Sequence, residues 1–102
     1  MVETSDNRAA SRYELTVDGE LAGVAEYVLG PGRIDFVHTE VPGRFAGQGL
    51  GATLVTYALR DAKSRGLEVV ASCSFVARVI AQNADEFLDL VAAPRRAASD
   101  RE

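Results

Sequence analysis

"GRFAGQGLGATLV", residues 43–55, places glycine at the alternate positions 47, 49 and 51 and then runs directly into an apolar stretch. Glycine is a poor helix and strand former and loses more conformational freedom on ordering than any other residue. The apolar stretch is nonetheless helical in pattern. Leu50, Leu54, Val55, Ala58, Leu59 and Ala62 form one stripe of a 3.6-residue period, with Thr56, Arg60 and Lys63 on the other side. Lys63 and Arg65 stand in the last turn, and Gly66 suits the position just past the end. The glycines therefore sit where a helix begins. A helix N-terminus carries unpaired N–H donors and partial positive charge, and a backbone without Cβ atoms lets an anion approach closely. "AGQGLGA", residues 46–52, is therefore a candidate cradle for a pyrophosphate, the plainer alternative being a tight or flexible loop that holds no ligand.

Upstream, "RYELTVDGELAGVAEYVL" is a hairpin. Tyr13, Leu15 and Val17 alternate with polar residues, and Asp18-Gly19 is a favoured two-residue turn. A second strand runs to about Leu29, and Gly30-Pro31-Gly32 makes the next turn. "RIDFVHTEV" is a third strand, with Ile34, Phe36 and His38 predicted on one face and Asp35, Val37 and Thr39 on the other; Pro42-Gly43 ends it. Downstream, "LEVVA" is a short buried strand. "SFVARVIAQN" is a helix with Phe75, Val76, Val79 and Ile80 inward and Ser72 or Ser74 as its cap. "ADEFLDLV" adds a last helical turn or two. The predicted order is β-β-β-α-β-α, an α+β chain whose mixed sheet is antiparallel in its first part. Residues 1–11 and 93–102 are polar, Ala-rich and aperiodic and read as disordered termini, leaving one domain over 12–92.

The totals fit that outline. A chain of 102 residues is one small domain, and 47% hydrophobic with 25% charged residues is ordinary globular composition. A net charge of −4 argues against nucleic acid or an anionic membrane as partner. One cysteine and one histidine offer neither an internal disulfide nor a zinc set, so no metal is expected. No apolar run reaches the length of a membrane span, and the polar start lacks the apolar segment of a secretory signal. A cytoplasmic protein is the expectation.

Two named phosphate-binding motifs drop out. A P-loop needs Gly-Lys-Ser/Thr, and here Ala-Thr follows Gly51. Gly47 to Ala52 formally fits G-x-G-x-x-A. The ribose-binding acid belongs at the end of the next strand, however, where "VVASCS" has no carboxylate. A preceding three-strand meander is also the wrong architecture for a dinucleotide fold. Another phosphate-bearing cofactor remains.

At "HTEVPGRFAGQGLGATLVTYALRDAKSRGLEVVASCSFV", residues 38–76, the chain resembles the GNAT superfamily of acetyl-CoA-dependent N-acetyltransferases, and more closely its small, truncated members. The similarity extends over most of residues 12–91. The superfamily's pyrophosphate loop is written Q/R-x-x-G-x-G/A. Arg44-x-x-Gly47-x-Gly49 matches it fully, whereas Ala46-x-x-Gly49-x-Gly51 matches at the glycines. The second register is preferred, because it aligns Leu54-Val55 with the family's paired leucines. Ala46 then stands where Gln or Arg is usual, with Arg44 two residues away as a source of charge.

The resemblance implies a compact GNAT-like fold whose sheet splays after "HTEV". The backbone of Thr39, Glu40 and Val41 would pair with the pantetheine amides of acetyl-CoA, as an added strand does. The amides of Gly47, Gln48, Gly49, Leu50, Gly51 and Ala52 would hold the pyrophosphate. The thioester would lie near Cys73, with Ser74 among the cofactor contacts.

Acetyl transfer needs a neutral amine, a stabilised oxyanion and often a proton for the departing thiolate. His38 and Glu40 are the candidate bases. Cys73, between a buried strand and a helix N-terminus, is a candidate acyl acceptor or proton donor. Each has a plainer alternative: a histidine packed at a strand end, a solvated carboxylate, a small core residue. Family members often carry a proline where Ala71 stands. The activity implied is amine N-acetylation by direct transfer. The alternatives are a non-catalytic CoA- or acyl-CoA-binding module and an acyltransferase with a Cys73 acyl intermediate. The acceptor, whether a small amine, a polyamine or a protein lysine or N-terminus, is not readable, nor is monomer distinguished from weak dimer.

Overall fold

Asp18 (φ 51°) and Gly19 (φ 84°) both take the left-handed conformation that a two-residue hairpin turn requires. They join β2 (Arg12–Val17) to β3 (Glu20–Gly30). Gly32, also at positive φ, turns the chain into β4 (Arg33–Glu40). The next strand, β5 (Glu68–Ala71), pairs parallel to β4, so a crossover is needed, and the helix after the glycines supplies it. That helix, α1, spans Leu50–Ser64; α2 (Ser74–Gln82) and the short α3 (Ala84–Phe87) come after β5. The computed structural model describes residues 1–91; the tail read as disordered over 93–102 lies outside the described residues.

The predicted stripe of α1 is its buried face. Leu54, Val55, Ala58, Leu59 and Ala62 lie on one face of the sheet against Tyr13, Leu15, Ala25, Tyr27, Ile34, Phe36 and Val69. Val76, Val79 and Ile80 of α2 and Phe87 of α3 complete this core. Burying a side chain of this size is worth about 1.5–3 kcal/mol, so the single apolar layer is the main driving force. Among the described residues, no helix is long and apolar enough to cross a membrane.

The N-terminus corrects the expectation of disorder over 1–11. Val2–Asn7 is a strand, β1, paired antiparallel with β2 from Val2↔Val17 to Asn7↔Arg12. Among the described residues the sheet thus has five strands in chain order. Hydrophobic alternation missed β1 because its inward anchor is a carboxylate. Asp6 accepts from the Tyr27 hydroxyl at 2.7 Å and from Arg65 at 3.2 Å, and Arg65 also bonds Asp61 and the Tyr13 hydroxyl. A polar network takes the place of an apolar stripe, and periodicity of hydrophobic residues is silent about it. The cap of α2 also differs from expectation: it is Cys73, and neither Ser72 nor Ser74 closes a side-chain cap bond.

Candidate active site

β4 and β5 stay together only from Arg33↔Glu68 to Phe36↔Ala71, with one more link from the Cys73 N–H to the Phe36 carbonyl at 2.9 Å. β4 continues to Glu40 while β5 has ended, so the sheet opens along the β5 side of Val37–Glu40. A β-bulge sits at the opening. Tyr27 pairs with Phe36 but Glu26 pairs with His38, so Val37 is an extra residue on β4.

One inserted residue reverses the alternation beyond it. Thr39, opposite the fully buried Ala25, shares the helix-side face with Ile34 and Phe36. His38 and Glu40 lie on the other, open face, 54% and 68% exposed, with His38 Nε2 3.5 Å from Glu40 Oε1. This corrects the sequence-based assignment of His38 to the Phe36 face. The bulge has no signature in a hydrophobic pattern, so neither the face of His38 nor that of Thr39 was readable.

The glycines divide by function. Gly47 (φ 82°) and Gly49 (φ 73°) are left-handed, and a Cβ at either would meet nothing within 4 Å. Gly49 is the N-cap of α1, and its carbonyl accepts from the Thr53 N–H and hydroxyl, both at 3.1 Å. From Gly47 to Ala52 no backbone N–H finds an acceptor among the described residues, and no side chain caps the helix. This is a row of unpaired backbone donors at the head of α1. Gly51 is inside the first helical turn, where a Cβ would stand 3.1 Å from Phe75 Cζ and 3.5 Å from Val41 Cγ2. Its smallness lets the start of α1, the start of α2 and the end of β4 close together. Val41, Phe45, Leu50 and Phe75 line a groove of about 330 Å³ together with Ala46, Gly47, Gly49, Gly51 and Ala52. Nothing in the spacing distinguished Phe75 from the other aromatics; its partner Gly51 was the signal.

Arg44 is not brought to these amides. Its guanidinium pairs with the Glu20 carboxylate and lies 4.9 Å from the centre of the Phe45 ring. Gln48 is exposed at the loop tip, and Ser74 is the exposed first residue of α2.

Cys73 stands at the head of α2, half-buried, with Sγ 3.6 Å from Thr39 Oγ1 across the opened gap. Burial pushes its thiol up. The Val76 N–H, the Thr39 hydroxyl, and the N–H groups of Phe75 and Thr39 outweigh that effect and hold it below the ordinary thiol value.

A family model for GCN5-related N-acetyltransferases matches residues 12–90. The chain belongs to this family. Its fold is similar to the NMR solution structure of a GCN5-like candidate N-acetyltransferase from Staphylococcus aureus. The TM-score is 0.61 at 21% identity, over 90% of this chain and 87% of that one. No curated protein matches the chain in sequence.

As a GCN5-related N-acetyltransferase the chain is an acyl-transfer enzyme, and the family generally uses acetyl-CoA. The residues present fit that group. The amides of Gly47–Ala52, unpaired among the described residues, suit a pyrophosphate, the groove is mostly apolar, and the edge of β4 beyond Phe36, which has no strand partner among the described residues, suits an extended chain carrying amides. No cluster of three or more His, Cys, Asp or Glu among the described residues is arranged to hold a metal ion.

Proposed function

We propose that this chain is an acetyl-CoA-dependent N-acetyltransferase that passes the acetyl group directly to an amine in the cytoplasm. The observation that carries the proposal is continuity. The free amides at the start of α1, the groove over Gly51 and Phe75, and the open edge of β4 lead in one line to Thr39 and Cys73.

In this reading the amides of Gly47–Ala52 and the α1 dipole neutralise the pyrophosphate. The backbone of Thr39, Glu40 and Val41 orients the pantetheine arm by hydrogen bonds from the strand edge. Bound there, acetyl-CoA supplies a thioester carbonyl open to attack by a neutral amine. The His38–Glu40 pair, exposed on the open face, takes up the proton that the amine must lose. Cys73 holds a proton at Sγ beside the gap and delivers it to the departing sulfur.

The test is turnover. The protein is incubated with acetyl-CoA and, separately, a small amine, a polyamine and a lysine peptide, and acetylated acceptor is measured by mass spectrometry. Transfer to at least one class, with no acetylated Cys73 accumulating, is expected. Acetyl-CoA binding without transfer to any of them would point to a binding module. An acetyl group trapped on Cys73 would point to a covalent route.

A further inference from the structure

We infer that Thr39 is the positioning residue for Cys73: its hydroxyl, turned to the helix side by the Val37 bulge, holds Sγ at the mouth of the gap between β4 and β5. The inference rests on the proton-donating role proposed for Cys73. Its structural basis is independent of that role.

A regular β4 would put Thr39 on the face opposite Phe36, away from α2. The extra residue at Val37 reverses this, and the hydroxyl arrives 3.6 Å from Sγ at the point where the strands have parted. Sulfur is a weak hydrogen-bond acceptor, and no side-chain cap bond of full hydrogen-bond geometry closes at the first turn of α2, although the Val76 and Phe75 N–H groups there lie close enough to act on the thiol. Cysteine is therefore a poor choice for capping alone, where Ser, Thr, Asp or Asn is preferred. The other groups acting on the thiol are the N–H groups of Val76 and Phe75 from α2 and of Thr39 from β4; no charged side chain is among them. Thr39 Oγ1 is thus the side-chain group that fixes Sγ. When the thiol proton leaves, the hydroxyl donates to the sulfur that remains, and Thr39 keeps its own proton.

The test uses the free protein. Cys73 is the chain's one cysteine, so alkylation by iodoacetamide as a function of pH reads this thiol alone. Thr39→Val removes the hydroxyl and leaves the backbone in place; Thr39→Ser keeps the hydroxyl. The valine variant should shift the titration upward by about one unit and slow alkylation at neutral pH by up to about tenfold. The serine variant should stay close to wild type. With acetyl-CoA and an accepted amine, Thr39→Val should lower kcat and leave KM for acetyl-CoA unchanged.

Should the valine variant not fold, Thr39→Ala is read in the same way. A folded Thr39→Val or Thr39→Ala protein whose thiol titrates as wild type would overturn the inference. A lowered melting temperature with an unmoved titration would do the same, because that is the result of a packing role alone. Full turnover by Cys73→Ala would instead remove the proposed proton-donor role of the thiol and leave the titration result standing.

Discussion

A Cβ at Gly49 would be wrong for the backbone, and one at Gly51 wrong for the neighbours. Gly49 has a left-handed φ and open space around it, so a side chain there costs about 1–2 kcal/mol in conformation. Gly51 has an ordinary helical conformation but stands against Phe75 and Val41. Gly51→Ala trades a tight contact with the Phe75 ring against a gain of about 1 kcal/mol in helix propensity, and should leave stability near wild type. Gly51→Val adds bulk that the ring must escape and should destabilise by about 1–3 kcal/mol, read as a lowered urea midpoint with unchanged slope. The sequence marked this loop as either a glycine-dependent approach or a tight turn, since three glycines at a helix start serve one or the other. It did not announce which glycine serves the backbone and which serves packing, because φ and tertiary neighbours are not written in local spacing.

Among the elements, β1 and β4 behaved least as their patterns implied, and for opposite reasons. β4 has clear alternation, and a single bulge beyond Phe36 inverts it, so His38 goes outward and Thr39 inward. β1 has almost no apolar alternation, yet it is a full edge strand because Asp6 ties it to Tyr27 and Arg65 beneath α1. By contrast, α1 was legible almost residue by residue, since an amphipathic helix buries its stripe whatever its detailed surroundings. The hairpin at Asp18-Gly19 was legible because its turn chemistry is local. If Asp6 anchors β1, its loss should be felt. Asp6→Ala leaves the Tyr27 hydroxyl and part of the Arg65 guanidinium without their acceptor and should cost about 1–3 kcal/mol. Ser5→Ala, on the outer side of the same strand, should cost little. Equilibrium urea unfolding of both variants checks this, and equal losses would mean that β1 is held by its backbone pairing alone.

The whole molecule should be most stable between two limbs of pH. Burial opposes ionisation of Asp61, but the Tyr13 hydroxyl and Arg65 prevail and hold its carboxyl below the usual range; the Asn7 amide and Arg12 do the same for Glu14. Carboxyls lowered in the folded state contribute stability that is present above their unfolded values, about pH 4, and is lost as the pH falls through the folded ones. Burial and the bond to Asp6 push Tyr27 up to about 12, and burial and Asp61 push Tyr13 higher still. Phenols raised in this way keep their contribution below about pH 10 and lose it as the pH rises further. Thermal unfolding across pH should therefore give a plateau with an acid limb below about pH 4 and an alkaline limb above about pH 10. Tyr27→Phe should make the alkaline limb shallower. The claim on which everything else depends is that the loop before α1 holds the phosphates of acetyl-CoA. Isothermal titration with acetyl-CoA, on the wild type and on Gly49→Val, tests it most directly. Saturable binding by the wild type, lost or weakened at least about tenfold in a Gly49→Val protein that still unfolds cooperatively, is the predicted result. A folded wild-type protein that takes up no acetyl-CoA, or a valine variant that binds it equally well, would contradict the account.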